Sequence, residues 1–362
     1  MPSRLISLDF LRGLIMVLLM LESTGLYSHL IAMSEGTLLH AFFIQFEHHP
    51  WHGLRFWDLV QPGFMFMAGT AMAFSLHRQE LEGRSWSDSF KKALKRSGLL
   101  FFWGVLDYAV RPQGLSFELW DVLTQLSFTS LVAFLIFRWT VTRQVLVCVV
   151  LLIITEILYR FAGVSGFDQP FTDQHNFGNY MDLLLMSKIN PDGWVAINCI
   201  PTAVHTILGA VAGKWLLSDA TPSEKMKKLW ICAAVCLVAG FVLDYTMTPI
   251  IKRIATTSFV LASAGWCLTG LAVSFWLIDI RKIAFKLTFF TVVGMNSIFI
   301  YLFFEIVGHR WFNGYITAVS GGLLTMVQAP EWMINIVGSL SIFALEWCLC
   351  YFLYRKKIFF KV

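Results

Sequence analysis

Long apolar stretches alternate with short polar segments along the whole 362-residue chain. A helix needs ~20 mostly apolar residues to cross a bilayer. Ten stretches meet or approach that length: roughly residues 5–27, 56–76, 95–111, 120–138, 144–163, 195–217, 229–247, 256–279, 287–307 and 332–354. Transmembrane barrel strands would be ~10 residues and would alternate in polarity, so these stretches are not strands. Backbone groups in hydrocarbon must bond within their own segment, which makes the stretches helices. The pattern predicts an all-α polytopic membrane protein with about ten transmembrane helices, and it places residues 1–362 in a single membrane domain.

Lys and Arg concentrate on the cytoplasmic side of membrane proteins. With the N-terminus inside, the inner segments hold Arg4, the run Arg78 to Arg96, Arg138 and Arg143, Lys214 to Lys228, Arg281 to Lys286 and the tail from Arg355. That is 20 of the 28 basic residues, a bias that recurs loop after loop. It predicts both termini on the cytoplasmic side. The formal net charge of +5 follows from this bias and does not require an acidic partner.

Composition agrees with the pattern. Hydrophobic residues make up 57% and charged residues 14%, against about 25% charged in a soluble domain. A chain so poor in charge could not cover its surface in water, which excludes a soluble enzyme, a disordered protein and a nucleic-acid binder. The first stretch carries Asp9 and Arg12 and lacks a small-residue cleavage site, so it is expected to remain rather than be removed as a signal peptide. All seven cysteines fall inside apolar stretches, without zinc spacing, and read as small apolar filler. No metal is expected.

Two outer segments, 28–55 and 164–194, read as long loops. Loops longer than ~12–15 residues are usually functional or disordered. The inner segment 77–94 is basic and helix-friendly. It suits either anionic lipid or an anionic ligand.

The densest chemistry lies at Glu47-His48-His49-Pro50-Trp51-His52-Gly53-Leu54-Arg55-Phe56-Trp57-Asp58. A histidine can act as a base near neutral pH. The same residues also suit an interfacial belt of Trp and His at headgroup level. Asp58 opens the second stretch, where an ionisable group must face a polar interior or cap the helix end. Asp9 and Arg12 can pair across one turn, and Glu22 and Ser23 lie deeper in the same stretch. His205 and the close-packing pattern Gly209-x-x-x-Gly213 read as structural. Asn296 and Glu305 are nine residues apart and would face opposite ways on a straight helix, leaving Asn296 as the better polar contact. No Walker loop, dinucleotide fingerprint, nucleophile elbow or HExxH motif is present.

Ordered fragments carry a resemblance. They run Ser7-Leu8-Asp9-x-x-Arg12-Gly13-Leu14, His48-x-x-Trp51-x-Gly53-Leu54-x-x-x-Asp58-Leu59-Val60-x-Pro62, Phe64-x-Phe66 and Gly69. Further on stand Pro191-Asp192-Gly193, Leu208-Gly209, Ala212-Gly213-Lys214, Thr248-Pro249-Ile250-x-Lys252, Thr257-Ser258-Phe259 and Gly294-Met295-Asn296-Ser297-Ile298-x-x-Tyr301. Over nearly its whole length the chain resembles the heparan-α-glucosaminide N-acetyltransferase family of transmembrane acyltransferases, including its bacterial relatives.

The resemblance implies transfer of an acetyl group from cytoplasmic acetyl-CoA to an amino sugar on the outer side. It implies that His48 is the active histidine. On chemical grounds Asp58 or Glu47 could orient its imidazole, and Asn296 could donate to the thioester oxygen. Glu22, Ser23, His49 and Trp51 become candidates for the acceptor, and Arg96 and Lys214 for the CoA phosphates. Ungapped alignment from Arg12-Gly13 places Ser23 where the family has Asn. The expected partners are acetyl-CoA, a sugar acceptor and the lipid bilayer, with no nucleic acid. The chain is a candidate homodimer and is expected in a cell membrane of the bacterial inner-membrane kind. Two rival readings stand beside it: a transporter of amino sugars or glycan fragments that uses the same outer pocket without chemistry, and a structural membrane partner of a glycan-handling system.

Overall fold

The computed structural model describes residues 5–110, 115–283 and 287–360. Arg4, Arg111, Lys286 and Lys361, which enter the charge pattern, lie outside them. Among the described residues the regular elements are helices, with one isolated bridge between His52 and Ile251. In chain order the α-helices are α1 (Ile6–Ser23), α2 (Leu26–Ser34), α3 (His40–Phe43), α4 (Val60–Leu81), α5 (Trp86–Ala109), α6 (Val122–Leu135), α7 (Val141–Phe161) and α8 (Phe177–Met186). Then follow α9 (Cys199–Leu217), α10 (Pro222–Thr246), α11 (Thr257–Ser274), α12 (Thr288–Met295), α13 (Ser297–Phe303), α14 (Asn313–Met326) and α15 (Glu331–Arg355).

Among the described residues, six helices are long and apolar enough to cross a membrane: Phe56–Leu81, Val141–Phe161, Ala196–Leu217, Pro222–Thr246, Thr257–Ile280 and Glu331–Arg355. The pair Thr288–Met295 and Ser297–Met326, bent by 74°, makes a seventh if taken as one span. The chain is thus a helical membrane protein. Each of the ten apolar stretches holds a helix, but not each helix is a span by itself. The α6 helix has 14 residues, and α1 carries Asp9, Arg12 and Glu22 within its 18.

Three expectations change. The outer segments are not loops throughout. Residues 28–55 contain most of α2 and all of α3, and residues 164–194 contain α8, whose start is fixed by Asn176 and Asn179 capping each other. The stretch 287–307 is not one straight helix. It breaks at Asn296 and passes into a π-helical segment, Phe304–Phe312, so the opposition of Asn296 and Glu305 on a straight helix does not apply. The following α14 helix was not foreseen. It is short, and Gly314, Gly321 and Gly322 dilute its apolar pattern.

Tertiary contacts divide the chain into two compact units, interleaved in sequence. One includes His49–Leu54 and Gln61–Trp276; the other includes Arg4–His48, Arg55–Val60 and Leu277–Val362. In the first unit, α4 and α9 meet without side chains between them. A Cβ at Gly69 would sit 1.9 Å from the Thr206 carbonyl oxygen, and one at Gly209 would sit 2.0 Å from that of Phe66. Gly213 packs in the same way against Thr70 and Ala73. Small residues allow such approach where apolar burial gives no drive, because lipid is as apolar as leucine. His205 is fully buried on α9, with Nε2 2.8 Å from the Ser263 hydroxyl.

Also in the first unit, Asp182 on α8 accepts from the Trp120 indole N–H (3.1 Å) and the Ala196 amide (2.8 Å). Burial pushes its carboxyl up to about 7, against the opposing pull of those two donors.

In the second unit, α1 is capped from a distance. Asp279 accepts from the amides of Ile6 and Ser7, each at 3.2 Å. Asp9 and Arg12 pair at 3.2 Å. Gly13 and Gly294 bring α1 and α12 together: a Cβ on Gly13 would sit 2.1 Å from the Phe290 carbonyl oxygen, and one on Gly294 2.9 Å from the Gly13 nitrogen.

Two outcomes follow. Gly209→Val forces α4 and α9 apart and is expected to cost at least ~3 kcal/mol. Gly98→Ala, which meets nothing within 4 Å, should be neutral. Thermal unfolding in detergent measures both. For Asp182, the folded carboxyl (about 7) lies above its ordinary 3.8, so the folded state holds more protons between those values. Stability should therefore fall as pH rises through that window. A pH series of melting curves should show this slope in the wild type and its loss in Asp182→Asn.

Candidate active site

The site is built where the chain turns into α4. Residues Ile44–Phe46 form one 3₁₀ turn and Phe56–Leu59 another, and the second leads directly into α4. Pro62 falls in the first turn of α4, where a missing N–H has no helical partner to lose. Arg55 is extended at the head of its 3₁₀ turn, and its amide donates to Asp58 Oδ2 at 2.9 Å. The other oxygen, Oδ1, lies 3.1 Å from His48 Nδ1. The Asp58 side chain is fully buried, whereas that of His48 is 40% exposed.

This geometry sets the tautomer. An ionised carboxylate only accepts, so the proton sits on Nδ1 and the lone pair on Nε2. The Arg55 guanidinium fixes the preceding strap. Its Nη1 donates to Glu47 Oε2 and to the His48 carbonyl, each at 3.0 Å. Trp57 lies beside the imidazole with ring centres 6.4 Å apart, and Tyr27 packs edge-on against Trp57 at 5.2 Å. The result is a partly exposed imidazole backed by a shielded carboxylate and an aromatic wall.

The other residues of the cluster are held differently. Gly53, at φ 145°, packs against the His49 ring, where a Cβ would meet Nε2 at 2.5 Å. The Trp51 indole donates to the Phe171 carbonyl at 2.8 Å, and its ring lies against Gly193. His52 Nε2 lies 2.8 Å from Asp244 Oδ1. His49, Trp51 and His52 thus belong to the first unit, and Glu47, His48, Arg55 and Asp58 to the second.

Ser23 is buried, and its hydroxyl donates to the Met20 carbonyl of its own helix at 2.8 Å. Glu22 beside it is exposed. A carboxamide does reach this end of α1, but it comes from Asn313, whose Nδ2 donates to the Ser23 carbonyl at 2.9 Å. No feature of the sequence pairs these two positions. Asn296 sits at the α12–α13 break and clamps the C-terminal tail. Its Nδ2 donates to the Ile358 carbonyl and its Oδ1 accepts from the Phe360 amide, each at 3.0 Å.

In the first unit, the last turns of α4 and α9, the start of α5 and the residues just after α6 line a cavity of about 370 Å³. Lys214 lines it with His77, Glu80, Arg84, Trp86 and Arg138. The Arg138 guanidinium lies 4.4 Å above the Trp86 ring. Lys214 is partly committed, since its ammonium donates to the carbonyls of Phe137 and Trp139. A smaller cavity of about 60 Å³ shares Leu76 and Ser89 with the first and is lined by Lys92 and Arg96. Burial, then the Arg84 and Arg78 charges, lowers the Lys92 ammonium below its ordinary range, with the Glu82 carboxylate pulling the other way. Sequence reading found Arg96 and Lys214 but missed Arg84, Trp86 and Arg138. Only packing gathers them. Among the described residues no group of three or more His, Cys, Asp or Glu is arranged to hold a metal ion.

With this geometry in view, the similarities to known proteins are informative. No protein-family model matches the chain. Heparan-alpha-glucosaminide N-acetyltransferase of Mus musculus is 24% identical over 431 residues of alignment, covering 99% of this chain and 61% of the relative. The Homo sapiens protein of the same name is 24% identical over 434 residues, covering 100% of this chain and 60% of the relative. The chain is distantly related to that acetyltransferase. It spans about three-fifths of the length of the relatives it matches.

Asn296→Ala removes both hydrogen bonds to the tail. Limited proteolysis should then cut the tail after Arg355 faster than in the wild type, with a loss of about 1–2 kcal/mol in stability.

Proposed function

We propose that the chain is a transmembrane acetyltransferase that moves an acetyl group from cytoplasmic acetyl-CoA to an amino sugar on the outer side. The observation that carries this reading is the His48–Asp58 pair, a reachable imidazole with its Nδ1 proton held by a buried carboxylate. The distant relationship to a transmembrane N-acetyltransferase supports it. Ten crossings with both termini cytoplasmic would put the basic residues Arg78 to Arg96 inside, in keeping with the charge bias.

The chemistry needs a base because an amino sugar in water is mostly ammonium, which cannot attack a thioester. The Nε2 lone pair of His48 takes a proton as the nitrogen attacks the thioester carbonyl, and Asp58 stabilises the imidazolium. The C–S bond breaks and the departing thiolate is protonated to free CoA. The alternative order uses the same lone pair: His48 attacks first and briefly carries the acetyl group. Asn296 has a second amide N–H beyond the tail clamp, which an oxyanion contact would use. Arg84, Arg138 and Lys214 suit the CoA phosphates, with Arg96 beside them, and Trp86 offers a face for a flat base. Glu22, Ser23, His49 and Trp51 are the proposed acceptor contacts.

The test is CoA release from acetyl-CoA by purified protein in liposomes with glucosamine offered. His48→Ala should lower kcat at least ~100-fold. Asp58→Asn should lower kcat more than it changes KM. Arg138→Ala should mainly raise the KM for acetyl-CoA. Undiminished release by His48→Ala overturns the assignment. Uptake of labelled glucosamine without CoA release favours a transporter.

A further inference from the structure

A second polar centre lies inside the second unit, on α15. Glu346 is fully buried in this apolar helix, and among the described residues neither of its carboxyl oxygens has a hydrogen-bond partner. The Oδ1 of Asn313 is likewise buried without a partner. The two approach one point. A Cβ built on Gly308 would sit 3.4 Å from Asn313 Oδ1 and 3.6 Å from Glu346 Oε1. Gly308 lies in the π-helical segment Phe304–Phe312, and such segments recur at functional sites.

The chemistry of this set is lopsided. It offers acceptor oxygens and no donor, which is costly in a dry interior. One proton removes the imbalance, because a protonated carboxyl donates while its other oxygen still accepts. Other groups do not supply it. The α15 helix packs on α1, α2, α12 and α14. Their titratable residues are Asp9, Arg12 and Glu22 on α1, Tyr27 and His29 on α2 and Tyr315 on α14, with none on α12; the π-helical segment adds Glu305, His309 and Arg310. On α15 itself the group that feels Glu346 is Cys350, one turn away.

We propose that Glu346 and Asn313 form a proton-binding site within the membrane part of this unit, with the proton on Glu346 donated to Asn313 Oδ1. The site has a built-in consequence. Asn313 Nδ2 holds the Ser23 carbonyl at the end of α1, and Ser339, also on α15, holds the Thr24 carbonyl at 2.9 Å. When the proton leaves, the carboxylate requires a donor. Asn313 can become that donor by turning its carboxamide over, which releases Ser23. Proton occupancy is thereby tied to the grip on the α1–α2 corner, where Gly25 adopts φ 77°. This inference does not depend on the acetyltransferase reading.

The experiment is infrared difference spectroscopy of the full chain in lipid nanodiscs over a pH series. The wild type should show a protonated-carboxyl C=O band at neutral pH that disappears on alkalinisation. Glu346→Gln should lack the band yet keep its elution profile and melting temperature, because the Gln amide donates to Asn313 as the protonated acid does. Asn313→Leu should shift the band by removing its acceptor, and this variant decides the matter if Glu346→Gln does not fold. A neutral-pH spectrum without a band sensitive to either residue overturns the proposal. So does a band abolished by added sodium or glucosamine at constant pH, since the site would then be a carboxylate for a cation.

Discussion

Hydrocarbon offers no hydrogen bonds, and this constraint runs through the molecule. It makes the apolar stretches helical and leaves their ends and breaks to be satisfied by distant side chains. Asp279 supplies the start of α1, Asn313 and Ser339 take up its end, and Asn296 holds the tail. Apart from side-chain pairs such as His205 with Ser263, polar residues placed deep in these apolar helices show two fates. They close a backbone gap, or they are left facing something that the chain itself does not provide.

The His48–Asp58 pair shows the first fate beside an imidazole. Asp58 caps the turn into α4 with one oxygen and holds the imidazole with the other. A carboxylate serving only as a cap would be ordinary. Its burial, with the imidazole partly exposed, gives His48 a defined tautomer and a reachable lone pair. Glu346 shows the second fate. Among the described residues its carboxyl oxygens have no hydrogen-bond partner and lie near another acceptor, the imbalance that the proposed proton removes. The two centres differ because Asp58 has a backbone donor and Glu346 has none.

Basic residues divide along similar lines. Lys214 draws on helix-end carbonyls and so combines a structural duty with its place in the cavity wall. Arg138 is held by the Trp86 face instead, which leaves its guanidinium donors directed by stacking rather than by a carboxylate. A cavity lined by such residues suits an anion with a flat aromatic portion better than it suits a simple ion.

The sequence by itself determined the helical membrane class, because length and apolar continuity admit no other backbone solution in lipid. It also drew attention to His48, Asp58, Asn296 and Lys214, since a polar group in or beside an apolar run must have a reason. Glu346 went unremarked, although it is the lone acid within residues 332–354, and nothing in the sequence names its neighbour. Tertiary structure decided the rest. It separated His48 from His49 and Trp51 by unit, broke the helix at Asn296, brought Asn313 to Ser23 across 290 positions of chain and gathered Arg84, Trp86 and Arg138 around one cavity. Periodicity records how a helix meets its surroundings. Which helices meet one another depends on contacts such as Gly209 against Phe66, whose partners lie far apart in sequence.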